Sequence, residues 1–312
     1  MKFVITGDWQ LRYQHPQNRK DKDYFATQMG KVEQILKLAQ SLDAPILQPG
    51  DFFDGIDTPW FVVKSYIDLF RKYGVEIFCI HGQHDLRYHS RRLDNIPLAV
   101  LEAAEVVQIV ENKVWGDKTS KFIAQLVGSP WGQGAVLRSV WRDGELCKIL
   151  MLHHMVVEEK LWEGQTDFTY AKHLFHEFPD VDLFVCGDNH KSFIVGNGAG
   201  RWIVNCGSLM RANIDQADHQ PIVYVYHTES RSLDEHHLKV KKATDVLDVK
   251  RAKEEDARDK DLQAFVEGLS AEQDLGLDFL ENLRAVVDGS KSNAGVKAII
   301  DEALERVGGE QR

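Results

Sequence analysis

A chain of 312 residues with 43% hydrophobic and 28% charged side chains has ordinary globular composition, which excludes a disordered or fibrous polymer and leaves room for one large domain plus a smaller appendage. The net charge of −10 sits mainly after residue 242, where 17 acidic side chains face 10 basic ones, so charge alone neither supports nor excludes a nucleic-acid substrate. No run approaches the roughly 20 apolar residues that span a bilayer, and the opening MKFVITGDWQ is too short in apolar residues for a signal peptide. Cys79, Cys147, Cys186 and Cys206 stand far apart with no CxxC pair, as expected of reduced thiols in a cytoplasmic protein without a membrane partner.

Along the chain, Lys2–Thr6 reads as a first strand, followed by an amphipathic stretch over Phe25–Leu42 in which Met29, Val32, Ile35, Leu36 and Ala39 recur at helical spacing. A strand at Pro45–Gln48, a helix over Pro59–Tyr73 and strands at Val75–Ile80, Val106–Val110, Lys121–Val127, Cys147–Leu152 and Asp182–Cys186 continue an α/β alternation. Phe193–Val195, Arg201–Val204, Ile222–Tyr226 and His237–Val240 then read as consecutive strands of a mixed second sheet. From Ala243 the pattern is helical, with apolar stripes at Leu262–Leu269, Phe279–Val287 and Val296–Leu304. We therefore divide the chain into a body, 1–242, and a helical C-terminal appendage, 243–312, suited to packing on the body or docking a partner.

The chemistry is carried by the strand ends. FVIT runs into Asp8 and Gln10, PILQP into Asp51 and Asp54, IFCI into His81, Gln83, His84 and Asp85, ILML into His153 and His154, and LFVC into Asp188 and His190. An Asp after a strand is most often a turn or cap residue, and a lone His is most often structural. Five such endings in succession are a different matter, because the carboxyl ends of strands in an open α/β sheet share one crevice. Carboxylates crowded there repel unless cations lie between them, and mixed carboxylate and imidazole donors suit Mn, Fe, Zn or Mg.

This order of motifs resembles the calcineurin-like metallophosphoesterases, with D-x-H, G-D, G-N-H-[DE], H and G-H-x-H in sequence. Within them, GDFFD, GQHDLRYHS and CGSLMR resemble the SbcD-type DNA repair nucleases and their phage-encoded relatives. The likeness covers about residues 1–230 and implies an α/β fold whose core is a two-sheet β-sandwich flanked by helices. It also implies two divalent ions, Mn first and Mg or Fe otherwise, one held by Asp8, Gln10, Asp51 and His190 and the other by Asp51, Gln83, His153 and Asp188. His84 matches the residue that protonates the leaving oxygen, with Asp85 orienting it. Gln10 departs from a His, Gln83 from an Asn and Asp188 from a His; nearby His15 is a candidate to supply the missing imidazole.

For a substrate, Arg12, Arg87 and Lys191, with Arg91 and Arg92, are candidates to grip phosphates, and Trp9, Phe53 and Tyr88 to stack on frayed bases, the equal alternative being a solvated charged rim with core aromatics. Trp131, Trp141 and Trp162 are assigned to packing. The resemblance implies a DNA exonuclease or endonuclease working with an SbcC-like coiled-coil ATPase through the appendage, and a homodimer. A phosphoesterase acting on nucleotides or small phosphoesters, and a non-catalytic scaffold with a decayed site, are the alternative readings.

Overall fold

The computed structural model describes residues 1–90, 92–116, 123–133 and 146–248, together with 251, 258, 295 and 298–300. The chain falls into two compact units, Met1–Leu247 and Asp248–Arg312. The apolar stripes expected after residue 262 lie almost wholly outside the described residues. Among the described residues no helix is long and apolar enough to cross a membrane.

The first unit is built on two six-stranded sheets. One contains β1 (Lys2–Ile5), β2 (Ile46–Gln48), β3 (Ile77–Cys79) and β4 (Gln108–Ile109), all parallel. The other contains β5 (Asn112–Gly116), β6 (Ile123–Ser129), β7 (Leu146–His153), β10 (Leu183–Gly187), β11 (Phe193–Gly196) and β12 (Trp202–Asn205), in the order β11-β12-β10-β7-β6-β5. A short parallel pair, β8 (Val156–Val157) and β9 (Thr169–Tyr170), lies outside both. The last two strands, β13 (Ile222–His227) and β14 (Ser232–His237), do not continue the second sheet as the sequence suggested. They return to the first, where β13 pairs antiparallel with β1. The final strand also falls earlier than expected. Its pairing with β13 is set by the turn between them rather than by the apolar Leu238 and Val240.

Alternation along the strands fixes the layers. Phe3, Ile5, Leu47, Phe78 and Ile80 face Leu126, Ile149, Met151, Leu183 and Val185 between the sheets. Val4, Ile46, Ile77 and Cys79 point the other way, onto α1 (Tyr24–Leu42), α2 (Trp60–Tyr73) and α3 (Pro97–Ala103). Leu150, Leu152, Phe184 and Cys186 face α4 (Ala171–Glu177). The result is the expected sandwich of two sheets between helices. Asp23 caps α1 by accepting from the Ala26 N–H at 2.8 Å, and Gly74 ends α2 in the left-handed conformation at φ 61. A short α5 (Ala243–Val246) and a bridge between Leu247 and Arg19 carry the first unit slightly past residue 242.

Candidate metal centre

Parallel strands from both sheets end at one edge of the sandwich, and the polar residues follow those ends. Asp8 leaves β1, Asp51 leaves β2, Gln83, His84 and Asp85 leave β3, His153 closes β7, and Asp188 and His190 leave β10. Three of these turns carry non-glycine residues at positive φ: Gln10 at 43, Asp51 at 49 and Asp188 at 77. Backbone held in such regions is costly and is found where the surroundings enforce it, commonly at functional sites.

Asp8, Asp51 and His153 are buried, and each offers a donor atom within 4.8 Å of the others. His153 Nδ1 donates to the Pro49 carbonyl at 2.7 Å, so in the neutral ring Nε2 carries the lone pair, 3.5 Å from Asp51 Oδ1. Such a backbone hydrogen bond on the far nitrogen is how metal-binding imidazoles are usually oriented. His154 points elsewhere, 3.0 Å from the Thr169 hydroxyl. Asp8 Oδ2 accepts the Asp188 N–H at 3.0 Å and lies 3.6 Å from His190 Nε2. Gln10 Nε2 donates to His190 Nε2 at 3.2 Å and to Asp51 Oδ2 at 3.4 Å, and Gln83 Nε2 donates to Asp188 Oδ1 at 2.9 Å. All seven residues expected around a metal centre are thus brought together.

The buried carboxylates and His153 strongly shift one another's titration. Burial, then the neighbouring Asp51 and Asp188 charges, hold the Asp8 carboxyl well above its usual range, with His153 opposing. Burial works to raise Asp51 as well, but His153 and His84 outweigh it and keep it below the usual value. Burial works to lower His153, but Asp51, Asp8 and Asp188 overcome it and push it up to about 10. Asp8 Oδ1, Gln83 Oε1 and His153 Nε2 are buried without a hydrogen-bond partner among the described residues, a costly arrangement unless another group meets them. Oxygen and imidazole donors in this mixture fit a borderline or hard divalent ion.

Two glycines keep the space open. A Cβ on Gly82 would overlap Asp51 Oδ1 and lie 2.6 Å from His153 Nε2, and one on Gly187 would lie 2.7 Å from both Asp8 Oδ1 and His153 Nδ1. Gly82→Ala is therefore expected to weaken Mn binding at least about tenfold and to cost about 1–3 kcal/mol of stability through overpacking. Isothermal titration with MnCl2 and thermal melts check both.

His84 stands at the mouth, its side chain 44% exposed, with Nε2 3.8 Å from Asp51 Oδ2. Asp85 does not orient it. The Asp85 carboxylate accepts the N–H groups of Gly82, Phe52 and Phe53 at 2.9–3.1 Å, tying the β2 and β3 loops together. The Asp54 carbonyl instead accepts from His84 Nδ1 at 3.0 Å. His15 is not at the centre either, because its ring nitrogens lie 3.0 and 2.9 Å from the Pro16 and Asp21 carbonyls. Asn205 was not anticipated. It donates to the Asn189 carbonyl at 2.8 Å and accepts from Gly207 N–H at 2.9 Å, and its signature, a polar residue ending the apolar run WIVN, matches the other strand ends.

The rim differs from the expected basic, aromatic surface. Arg12 is ion-paired to Asp54 and Arg92 to Asp94, while Arg87 lies 3.8 Å from the exposed Asp57. Lys191 is exposed, and Arg91 lies outside the described residues. Trp9 and Phe53 are core residues at 1% and 0% exposure and cannot stack on a base, whereas Tyr88 is 88% exposed. Trp162 is exposed rather than packed, and Trp141 lies outside the described residues.

The fold as a whole has solved counterparts. The crystal structure of TT1561 of Thermus thermophilus superposes with a TM-score of 0.50 at 13% identity, covering 76% of this chain and 99% of that one. A search of curated proteins gave no match. The model of the calcineurin-like phosphoesterases matches residues 1–192, the stretch that contains every donor of the centre from Asp8 to His190, and the chain belongs to that family.

Proposed function

We propose that the chain is a divalent-metal-dependent phosphodiesterase of SbcD type that hydrolyses DNA as an exonuclease or endonuclease. The observation that carries the hydrolytic reading is the buried set of Asp8, Asp51 and His153, in which Asp8 Oδ1 and His153 Nε2 have no hydrogen-bond partner among the described residues, beside a half-exposed His84. Preference for DNA is supported by the likeness of GDFFD, GQHDLRYHS and CGSLMR to that group of nucleases. In the same reading, an SbcC-like ATPase docks on the region after residue 242, and the protein dimerises.

Asp8, Asp51, Gln10, Gln83, His153, Asp188 and His190 would hold two ions, Mn first and Mg or Fe otherwise. Those ions supply positive charge to the phosphate oxygens and acidity to water. The chain does the rest. The Pro49 carbonyl keeps the His153 lone pair turned inward. Asp51 Oδ1 accepts the His84 N–H at 3.0 Å, so the metal-facing carboxylate and the proton donor share one support. With its Nδ1–H held by the Asp54 carbonyl and its side chain 44% exposed, His84 is placed to give a proton to a departing sugar oxygen.

End-labelled linear duplex DNA in Mn tests the proposal, with His84→Ala alongside and bis-p-nitrophenyl phosphate as a small ester. Wild-type protein is expected to release label, and the variant to lose roughly 10²–10⁴-fold, the range for a missing proton donor. Rapid hydrolysis of the small ester with the DNA left intact would assign the chain to small phosphoesters instead.

A further inference from the structure

The lone pairs of the centre fall into two unlike groups. On one side, Asp8 Oδ1, His153 Nε2 and Gln83 Oε1 are buried with no hydrogen-bond partner among the described residues, His153 Nε2 facing Asp51 Oδ1 at 3.5 Å. Gln83 is held with that oxygen free because its Nε2 is engaged by Asp188 Oδ1 at 2.9 Å. On the other side the atoms satisfy one another. Gln10 Nε2 donates to both His190 Nε2 and Asp51 Oδ2, at 3.2 and 3.4 Å, and the Gln10 main chain is fixed by its N–H on the Asp51 carbonyl at 2.8 Å. A histidine in that place would offer a lone pair. The carboxamide instead presents hydrogens and occupies two lone pairs that an ion would need.

We propose that this chain holds one divalent cation firmly, among Asp8, Asp51, His153 and Gln83, and admits a second, at Gln10 and His190, only when the Gln10 amide turns over and gives up both hydrogen bonds. Gln10 thereby sets the metal stoichiometry at a given ion concentration. The inference rests on the reading of the centre as a divalent-metal site.

Metal-stripped full-length protein titrated with MnCl2, followed by calorimetry and by electron paramagnetic resonance, tests it. Wild type is expected to take one Mn per chain and then a second on the order of tenfold to a hundredfold more weakly, the cost of two ordinary hydrogen bonds. Gln10→His is expected to take two in a single concentration range, with the resonance of a coupled pair. Far-ultraviolet dichroism of the metal-free variant establishes that it is folded. Two equally tight ions in wild type would overturn the inference while leaving the hydrolase reading intact, and so would a folded Gln10→His that keeps the wild-type stoichiometry. A wild type that binds no Mn at all would remove both.

Discussion

Asp51→Asn is expected to reduce Mn-dependent cleavage of linear duplex DNA at least about 10³-fold, near the upper end of what single charge-stabilising groups contribute. Asp51 is the residue through which the two halves of the centre meet. Its Oδ1 lies 3.5 Å from His153 Nε2 and accepts the His84 N–H, while its Oδ2 faces Gln10 at 3.4 Å and His84 Nε2 at 3.8 Å. Asparagine has the same shape and can keep the bond to the His84 N–H, but it loses the charge and one of the two acceptor oxygens. Metal-free, the variant should melt close to wild type, since His153 loses a neighbouring negative charge that favours it while Asp8 is relieved of one that opposes it. With Mn the two should separate. At free Mn a hundred times Kd the wild type gains about 2.7 kcal/mol of stability by mass action, and the variant almost none. A variant that retained both cleavage and the Mn-induced rise in melting temperature would place the chemistry elsewhere in the molecule.

The sequence announced the centre because its donors sit directly after buried strands, and a strand end is a fixed place in an α/β fold. That is why Asp8, Asp51, the His153-His154 pair and His190 stood out at the ends of apolar runs, while their roles as ligands came from the resemblance to the metallophosphoesterases. What it concealed is main-chain work. The Pro49 and Asp54 carbonyls that orient His153 and His84 leave no trace in side-chain identity, and Asp85, adjacent to His84 in sequence, turns away to meet three backbone N–H groups. Burial was left open where composition is ambiguous. Trp9 and Phe53 follow polar motif residues yet pack with the core, Trp9 against Phe52 at 4.8 Å between ring centroids. The edge strand Ser232–His237 is polar and mostly exposed or half-exposed, so it lacks the alternation that reveals strands with a buried face. Its place is set instead by pairing with β13.

Mn affinity is expected to rise with pH, by about tenfold per unit for the His153 proton, until the metal-free His153 has titrated near 10. In the metal-free protein the Asp51, Asp8 and Asp188 carboxylates push His153 up from 6.5 to about 10 against the effect of burial. A raised pKa means that the folded chain binds a proton the unfolded chain has already lost. Its contribution to metal-free stability is complete below 6.5 and disappears as pH rises through about 10. Coordination needs the neutral Nε2 lone pair, so below about pH 10 each firmly bound ion must expel that proton. Asp8, whose carboxyl burial holds well above its usual range, is a further group from which coordination expels any proton it carries. Calorimetric titration with Mn at pH 7.5, in two buffers of different ionisation heat, counts the protons directly. At least about one proton per firmly bound ion, the His153 proton, is the expected result. A count near zero would mean that His153 is already neutral in the metal-free chain and that the three carboxylates do not share their charge with it.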